Sequence, residues 1–95
     1  AASITERQPG TRWPQDWPRP VLEHLAGQID LNALLDAARR QRQVPEALTE
    51  AHYYAGEWLA AGGQRELARE QWRKATDLGV TEFVEHTAAR RRLAE

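Results

Sequence analysis

From residue 20 onward, the hydrophobic positions of this chain recur at the spacing of helices. Apolar residues fall three or four positions apart in successive windows, and glycine or proline separates one window from the next. Runs of alternating Val, Ile and Thr residues, which would indicate strands, are missing. The pattern therefore predicts an all-α fold of about five helices.

The first segment, residues 1–19, is rich in tryptophan and proline and is predicted to be extended. Proline interrupts any regular helix before residue 20. We interpret Trp13 and Trp17 as groups that fold back over the first helices, because so short a chain needs its large apolar side chains in the core. An exposed aromatic and proline-rich patch for a partner is the alternative.

Residues 20–42 are predicted to form a divergent helix pair. Gly27 is suited to end its first helix, and Asp30 is a favourable N-cap for the second. The second helix is expected to run to about Arg42, because Pro45 and the restricted residue before it force a break.

Residues 45–79 are predicted to form a complete helical hairpin that turns at Gly62 and Gly63. Trp58 and Trp72 fall within its apolar pattern, so both are expected in the core. A final helix over residues 81–94 should follow, with Thr81 as its N-cap. We interpret this helix as the solvated cap of a helical stack.

Within the hairpin, the spacing of small and aromatic residues resembles a tetratricopeptide repeat (TPR). Gly56, Gly63, Ala68, Trp72 and Ala75 follow one another at intervals of seven, five, four and three residues. The small residues would let two helices approach closely, and Trp72 would fill the space between them. On this basis Gly56→Leu should overpack the hairpin, whereas Gly56→Ala should be mild or stabilising. The resemblance implies a protein-binding function.

Further motifs carry a narrower resemblance. They are Trp17-Pro18-Arg19-Pro20, Gly27-Gln28-Ile29, the run Glu-Ala-His-Tyr-Tyr-Ala-Gly-Glu at 50–57, and Phe83-Val84-Glu85-His86. With them, residues 13–93 resemble the C-terminal region of the NlpI-type bacterial TPR lipoproteins. That resemblance implies an adaptor of the bacterial envelope that brings cell-wall hydrolases and a protease together. It suggests the periplasm or the outer-membrane periphery, and leaves the cytoplasm open.

The TPR resemblance also implies where a partner binds. The first helices of successive TPR hairpins line a concave groove, and Thr49 would be position 1 of the complete repeat. Carried onto this sequence, the groove frame predicts five partner-binding residues: Glu50, Tyr53, Glu57, Thr87 and Arg91. Tyrosine and arginine are frequent anchors at protein interfaces. Packing of Tyr53 against the neighbouring hairpin is the alternative interpretation.

Composition and charge narrow the range of functions. The net charge of −1 and the pI near 6.4 give no general attraction to nucleic acid or anionic lipid. The chain has no apolar run long enough for direct membrane insertion, and no cysteine for a disulfide or a thiol nucleophile. His24, His52 and His86 lack the spacing of metal ligands, and no phosphate-binding or nucleophile motif occurs.

The sequence thus predicts a non-enzymatic adaptor or scaffold without cofactor or metal, which binds a protein or peptide through the groove. A structural role is the alternative: the chain would cap a longer TPR solenoid or self-associate as a homodimer.

Overall fold

A computed structural model describes residues 17–95, which form five α-helices and no strand within that range. The helices are α1 (Arg19–Leu25), α2 (Leu31–Arg39), α3 (Val44–Ala61), α4 (Arg65–Asp77) and α5 (Val84–Ala94). The predicted all-α fold is confirmed. The interpretation of Trp13 and of the segment preceding Trp17 lies outside the described residues.

Most helix ends follow the local signals in the sequence. A carboxylate oxygen of Asp30 accepts a hydrogen bond from the backbone N–H of Ala33 at 2.9 Å, as an N-cap does. Gly27 and Gly79 have φ values of +80° and +76°, a conformation that glycine adopts readily, just beyond α1 and α4. Helix α2 ends at Arg39, earlier than expected.

The prediction of Thr81 as an N-cap is wrong. The cap position belongs to Phe83, and no side chain caps α5 there. Val80 is buried, and the chain turns tightly after it: the backbone N–H of Phe83 donates to the carbonyl of Val80 at 3.1 Å. This turn uses the residues that would otherwise begin the helix, so α5 starts later than the sequence pattern suggests.

Helix α3 is the centre of the fold and packs against the other four helices. Its N-terminal half joins α1 and α2 around a first hydrophobic cluster. That cluster contains Trp17, Val21, Leu34, Ala37, Ala38, Ala47 and Ala51. The prediction that Trp17 covers the first helix pair is confirmed, because its side chain is buried in this cluster.

A second hydrophobic cluster lies where α3, α4 and α5 meet, and Trp72 is its largest residue. Trp72 and Ala68 are fully buried, as predicted. The indole ring of Trp72 lies directly against the backbone of Gly56. A Cβ atom on Gly56 would lie 2.5 Å from Cδ1 and 2.9 Å from Cε2 of that ring, and closer still to Nε1. The two helices can approach this closely only because Gly56 has no side chain.

The prediction that Trp58 belongs to the core is wrong, because 42% of its surface is exposed. Its ring contacts His24 of α1, with the two centroids 5.2 Å apart and the planes tilted by 47°. Helix α1 has only seven residues and ends at Leu25, one residue after this contact.

A buried polar contact also joins α3 to α4. The Nδ1 atom of His52 and the Oε1 atom of Gln71 are 2.7 Å apart, and both residues are buried. Burial lowers the pKa of His52, and the positive charges of Lys74 and Arg39 lower it further, against the opposing effect of the Gln71 hydrogen bond. The folded protein therefore favours the neutral imidazole more than the unfolded chain does.

The close contact between Gly56 and Trp72 overturns the expectation that Gly56→Ala would be mild or stabilising. We predict that Gly56→Ala destabilises the protein by about 1–3 kcal/mol, because the added methyl group must displace a fully buried indole ring. Gly62→Ala is the matched control, since a Cβ there has its nearest contact at an ordinary 3.6 Å. Urea unfolding of both variants measures the difference. Equal stabilities would show that α3 and α4 do not pack as described.

A second prediction concerns pH. The folded-state pKa of His52 lies below its ordinary value of about 6.5, so the unfolded chain binds the proton more readily. The contribution of His52 to stability is thus intact above pH 6.5 and declines as the pH falls toward the folded-state pKa. Urea unfolding from about pH 8 to about pH 5 should show this decline in the wild type. The His52→Gln variant should show a shallower one, and identical slopes would contradict the assignment.

Candidate interaction face

Polar and aromatic side chains of α3 make a series of contacts with α5 and with Trp17, two residues before α1. We call this surface the interaction face and define it by Glu50, Tyr53, Tyr54, Glu57, Glu85 and Arg92. All six are partly buried, so each contributes both to packing and to the surface. The four residues that belong to α3 lie on a side of this helix different from the one that Gly56 and the buried His52 turn toward α4.

The strongest contact of the interaction face is an ion pair between Glu57 and Arg92. The Nε and Nη2 atoms of Arg92 each donate to a different carboxylate oxygen of Glu57 at 2.8 Å. This bidentate geometry is the most favourable that arginine and carboxylate adopt. The hydrogen bonds from Arg92 hold the pKa of Glu57 below its usual value. The guanidinium also lies over the ring of Trp72, 5.3 Å from its centroid, which connects the surface to the core.

Two adjacent tyrosines form the middle of the interaction face. The rings of Tyr53 and Tyr54 meet edge to face, with centroids 4.8 Å apart. The hydroxyl of Tyr54 donates to Glu85 at 3.2 Å, and that of Tyr53 hydrogen bonds to Glu57. Burial and the negative charge of Glu85 raise the pKa of Tyr54 to about 12. Both hydroxyl groups therefore keep their protons at neutral pH, and both are already oriented by carboxylates.

One end of the interaction face is acidic. The indole N–H of Trp17 donates to Glu50 at 2.6 Å. Burial raises the pKa of Glu50, and the nearby negative charge of Glu85 raises it further, whereas the Trp17 hydrogen bond lowers it. Glu50 and Glu85 thus repel one another, and a positive group placed between them would be attracted by both.

The five predicted binding residues divide between two helices. Glu50, Tyr53 and Glu57 all lie on the interaction face. Thr87 and Arg91 are exposed on α5, but the contacts with α3 come from other α5 residues. Glu85 and Arg92 make them, and sequence reasoning missed both, together with Tyr54.

The position assumed for the start of the next repeat explains why Arg91 was predicted on this surface instead of Arg92. The predicted frame placed position 1 of the next unit at Phe83, 34 residues after Thr49. In the structure, Glu57 pairs with the residue 35 positions further on. One residue of shift rotates a helical position by about 100°, which replaces Arg91 with Arg92. The seven-residue interval between Glu85 and Arg92, two helical turns on one side of α5, was the available signal.

Comparisons with protein-family models, curated proteins and solved structures find no match to this chain. The TPR resemblance and the narrower lipoprotein resemblance therefore stay predictions. Among residues 17–95, no group of three or more His, Cys, Asp or Glu residues could hold a metal ion. In the same range, no helix is both long and apolar enough to cross a membrane.

The ion pair predicts that substitutions of two neighbouring arginines, Arg92 and Arg91, have different effects on stability. Arg92→Ala should lower the free energy of unfolding by about 1 kcal/mol, because it removes a bidentate pair and a contact with the Trp72 ring. Arg91→Ala should change it by less than about 0.5 kcal/mol, as is usual for an exposed position. Thermal and urea unfolding of the two variants test this. The opposite order would contradict the pairing of Glu57 with Arg92.

Proposed function

We propose that this chain is a non-enzymatic adaptor or scaffold module that binds a protein or peptide through the interaction face and the adjoining exposed side of α5. The observation that carries the proposal is the pairing of two half-exposed tyrosines with carboxylates and an arginine on adjacent helices. Such side chains, once fixed in position, lose little conformational entropy when a partner binds. Thr87 and Arg91 extend this surface along α5.

The charges of the interaction face favour a particular kind of partner. Glu57 is neutralised by Arg92, but within residues 17–95 neither Glu50 nor Glu85 forms an ion pair with a cation. The partner is therefore expected to present a lysine or arginine side chain at this acidic end. An apolar or aromatic group next to that side chain would pack on the tyrosine rings.

The resemblances add a biological setting to the proposal. A TPR-like hairpin stack is a common form of protein-binding domain, and the lipoprotein-like motifs suggest work in the assembly of the bacterial envelope. An adaptor in that setting would hold enzymes near one another without catalysis of its own.

A second candidate function is self-association, or the capping of a longer solenoid. It rests on two exposed apolar side chains near the C-terminal part of the fold: Val84 on α5 is 77% exposed and Leu67 on α4 is 50% exposed. Light scattering across a range of concentrations separates the candidates. A mass that doubles with concentration, and that Val84→Lys returns to the monomer value, would favour self-association.

Partner binding gives the main test. Proteins captured by the wild type from an extract of the source cells are identified by mass spectrometry, and the purified partner is titrated by calorimetry. Tyr53→Phe removes one hydroxyl and keeps the ring, while Arg91→Ala removes an exposed cation. Each should weaken binding by about 1–2 kcal/mol, the lower range for interface anchors, with little change in stability.

Arg73→Ala is the matched control for Arg91→Ala. Arg73 is equally an exposed arginine, but it belongs to α4, which contributes no residue to the interaction face. Its substitution should leave partner binding unchanged. If Arg73→Ala and Arg91→Ala weaken binding equally, or if the Tyr53→Phe/Arg91→Ala double variant binds as the wild type does, the interaction face is not the binding surface.

A further inference from the structure

Trp58 is the most exposed aromatic residue within residues 17–95, with 42% of its surface accessible. Its ring contacts His24 of α1, and the accessible part of the ring is free to contact another molecule. Tryptophan is enriched among the residues that contribute most to the affinity of protein interfaces. The position of Trp58 on α3 therefore bears on the kind of partner that the protein binds.

Trp58 continues a row of side chains that begins on the interaction face. Glu50, Tyr54 and Trp58 follow one another at intervals of four residues in α3, and we call them the α3 row. Four residues advance a helix by about 6 Å and rotate it by only about 40° beyond a full turn, so the three side chains share one side. Gly56, which faces α4, is rotated by about 160° from Trp58. Trp58 thus extends the interaction face toward the C-terminal end of α3.

Helices α1 and α5 lie on either side of the α3 row. Trp58 contacts His24 of α1, whereas Glu57 pairs with Arg92 of α5. Consecutive residues of a helix are rotated by about 100° from one another, so the two neighbouring helices approach α3 from different sides. The α3 row therefore runs between them, with a carboxylate at one end and an aromatic ring at the other.

The length of the α3 row matches the repeat of an extended peptide. Glu50 and Trp58 are separated by about 12 Å along the helix axis. In an extended chain, side chains four residues apart point to the same side and are about 13 Å apart. Tyr54 lies about 6 Å from Glu50 along the axis, which corresponds instead to a spacing of about two residues. The spacing of two side chains in a partner can therefore distinguish Trp58 from Tyr54 as the aromatic contact.

Charge determines which group belongs at the first end of the α3 row. Glu50 accepts a hydrogen bond from the indole of Trp17 but forms no ion pair within residues 17–95. The negative charge of Glu85 lies close enough to raise the pKa of Glu50, in addition to the larger effect of burial. A cation is thus favoured at this end, and an aromatic ring is favoured on the accessible part of Trp58.

We propose that the partner is an extended peptide segment in which a lysine or arginine pairs with Glu50 and an aromatic side chain about four residues away packs on Trp58. This inference rests on the proposed adaptor function and specifies the motif that the interaction face recognises.

Two synthetic peptides test the spacing on the full chain by NMR titration. Both are capped, have the same composition and consist of glycine and serine with one arginine and one phenylalanine. These two residues are four positions apart in the long-spaced peptide and two positions apart in the short-spaced peptide. The long-spaced peptide should bind about fivefold more tightly, because it alone spans the distance from Glu50 to Trp58. Equal binding, tighter binding of the short-spaced peptide, or no saturable shift up to about 5 mM of the long-spaced one would overturn the proposal.

A pair of variants tests the aromatic contact. Trp58→Ala should weaken the long-spaced peptide about tenfold and leave the short-spaced peptide unchanged. Leu67→Ala is the matched control, since it removes an exposed apolar side chain from α4 and should change neither titration. Circular dichroism establishes that both variants remain folded. Equal effects of the two substitutions on the long-spaced peptide would overturn the role of Trp58.

A change in the ligand tests the ionic contact. Citrulline has nearly the shape of arginine but no charge, so its substitution for arginine should weaken the long-spaced peptide about tenfold. Unchanged binding would overturn the pairing with Glu50.

The results can be distinguished from a failure of the proposed function. If the captured partner is weakened by Tyr53→Phe and Arg91→Ala but not by Trp58→Ala, the interaction face remains the binding surface and the proposed motif is overturned. If Trp58→Ala also weakens that partner about tenfold and Leu67→Ala does not, the motif is supported.

Discussion

The close approach of α3 and α4 at Gly56 is the contact on which the rest of the structure depends. The ring of Trp72 occupies the space that any other residue at position 56 would fill, and it is completely buried there. The same ring supports the guanidinium of Arg92 on its outer side. A backbone contact in the core therefore sets the position of an arginine at the surface, and through Glu57 it fixes α5 against α3.

Helix α3 combines these roles because its sides carry different kinds of residue. Small side chains such as Ala51 and Ala55, both fully buried, allow neighbouring parts of the chain to pack closely against it. Gly56 and His52 face α4, whereas Glu50, Tyr53, Tyr54 and Glu57 form the interaction face. The polar groups of that face are satisfied within the chain, so a partner must add contacts to them or exchange one contact for another. Exposed charges at such a surface affect the rate and selectivity of association more than the final affinity.

The interaction face is polar, open and acidic at one end, and it suits an extended partner with a basic group. Four of its six residues belong to α3, so a change in the packing of this helix would alter the face.

The sequence by itself determined the helical class, the turns at Gly27 and Gly79, the cap at Asp30 and the burial of Trp72, because these follow from local conformational preferences and from the period of apolar residues. It also predicted that Glu50, Tyr53 and Glu57 share one side of a helix, because the rotation per residue within a helix is fixed. Only the tertiary structure decided which residues of α5 meet them, because the turn after Val80 sets the rotation of that helix and selects Arg92 over Arg91. Tertiary packing likewise left Trp58 partly exposed, since a hydrophobic pattern cannot show which sides of a helix its neighbours will cover.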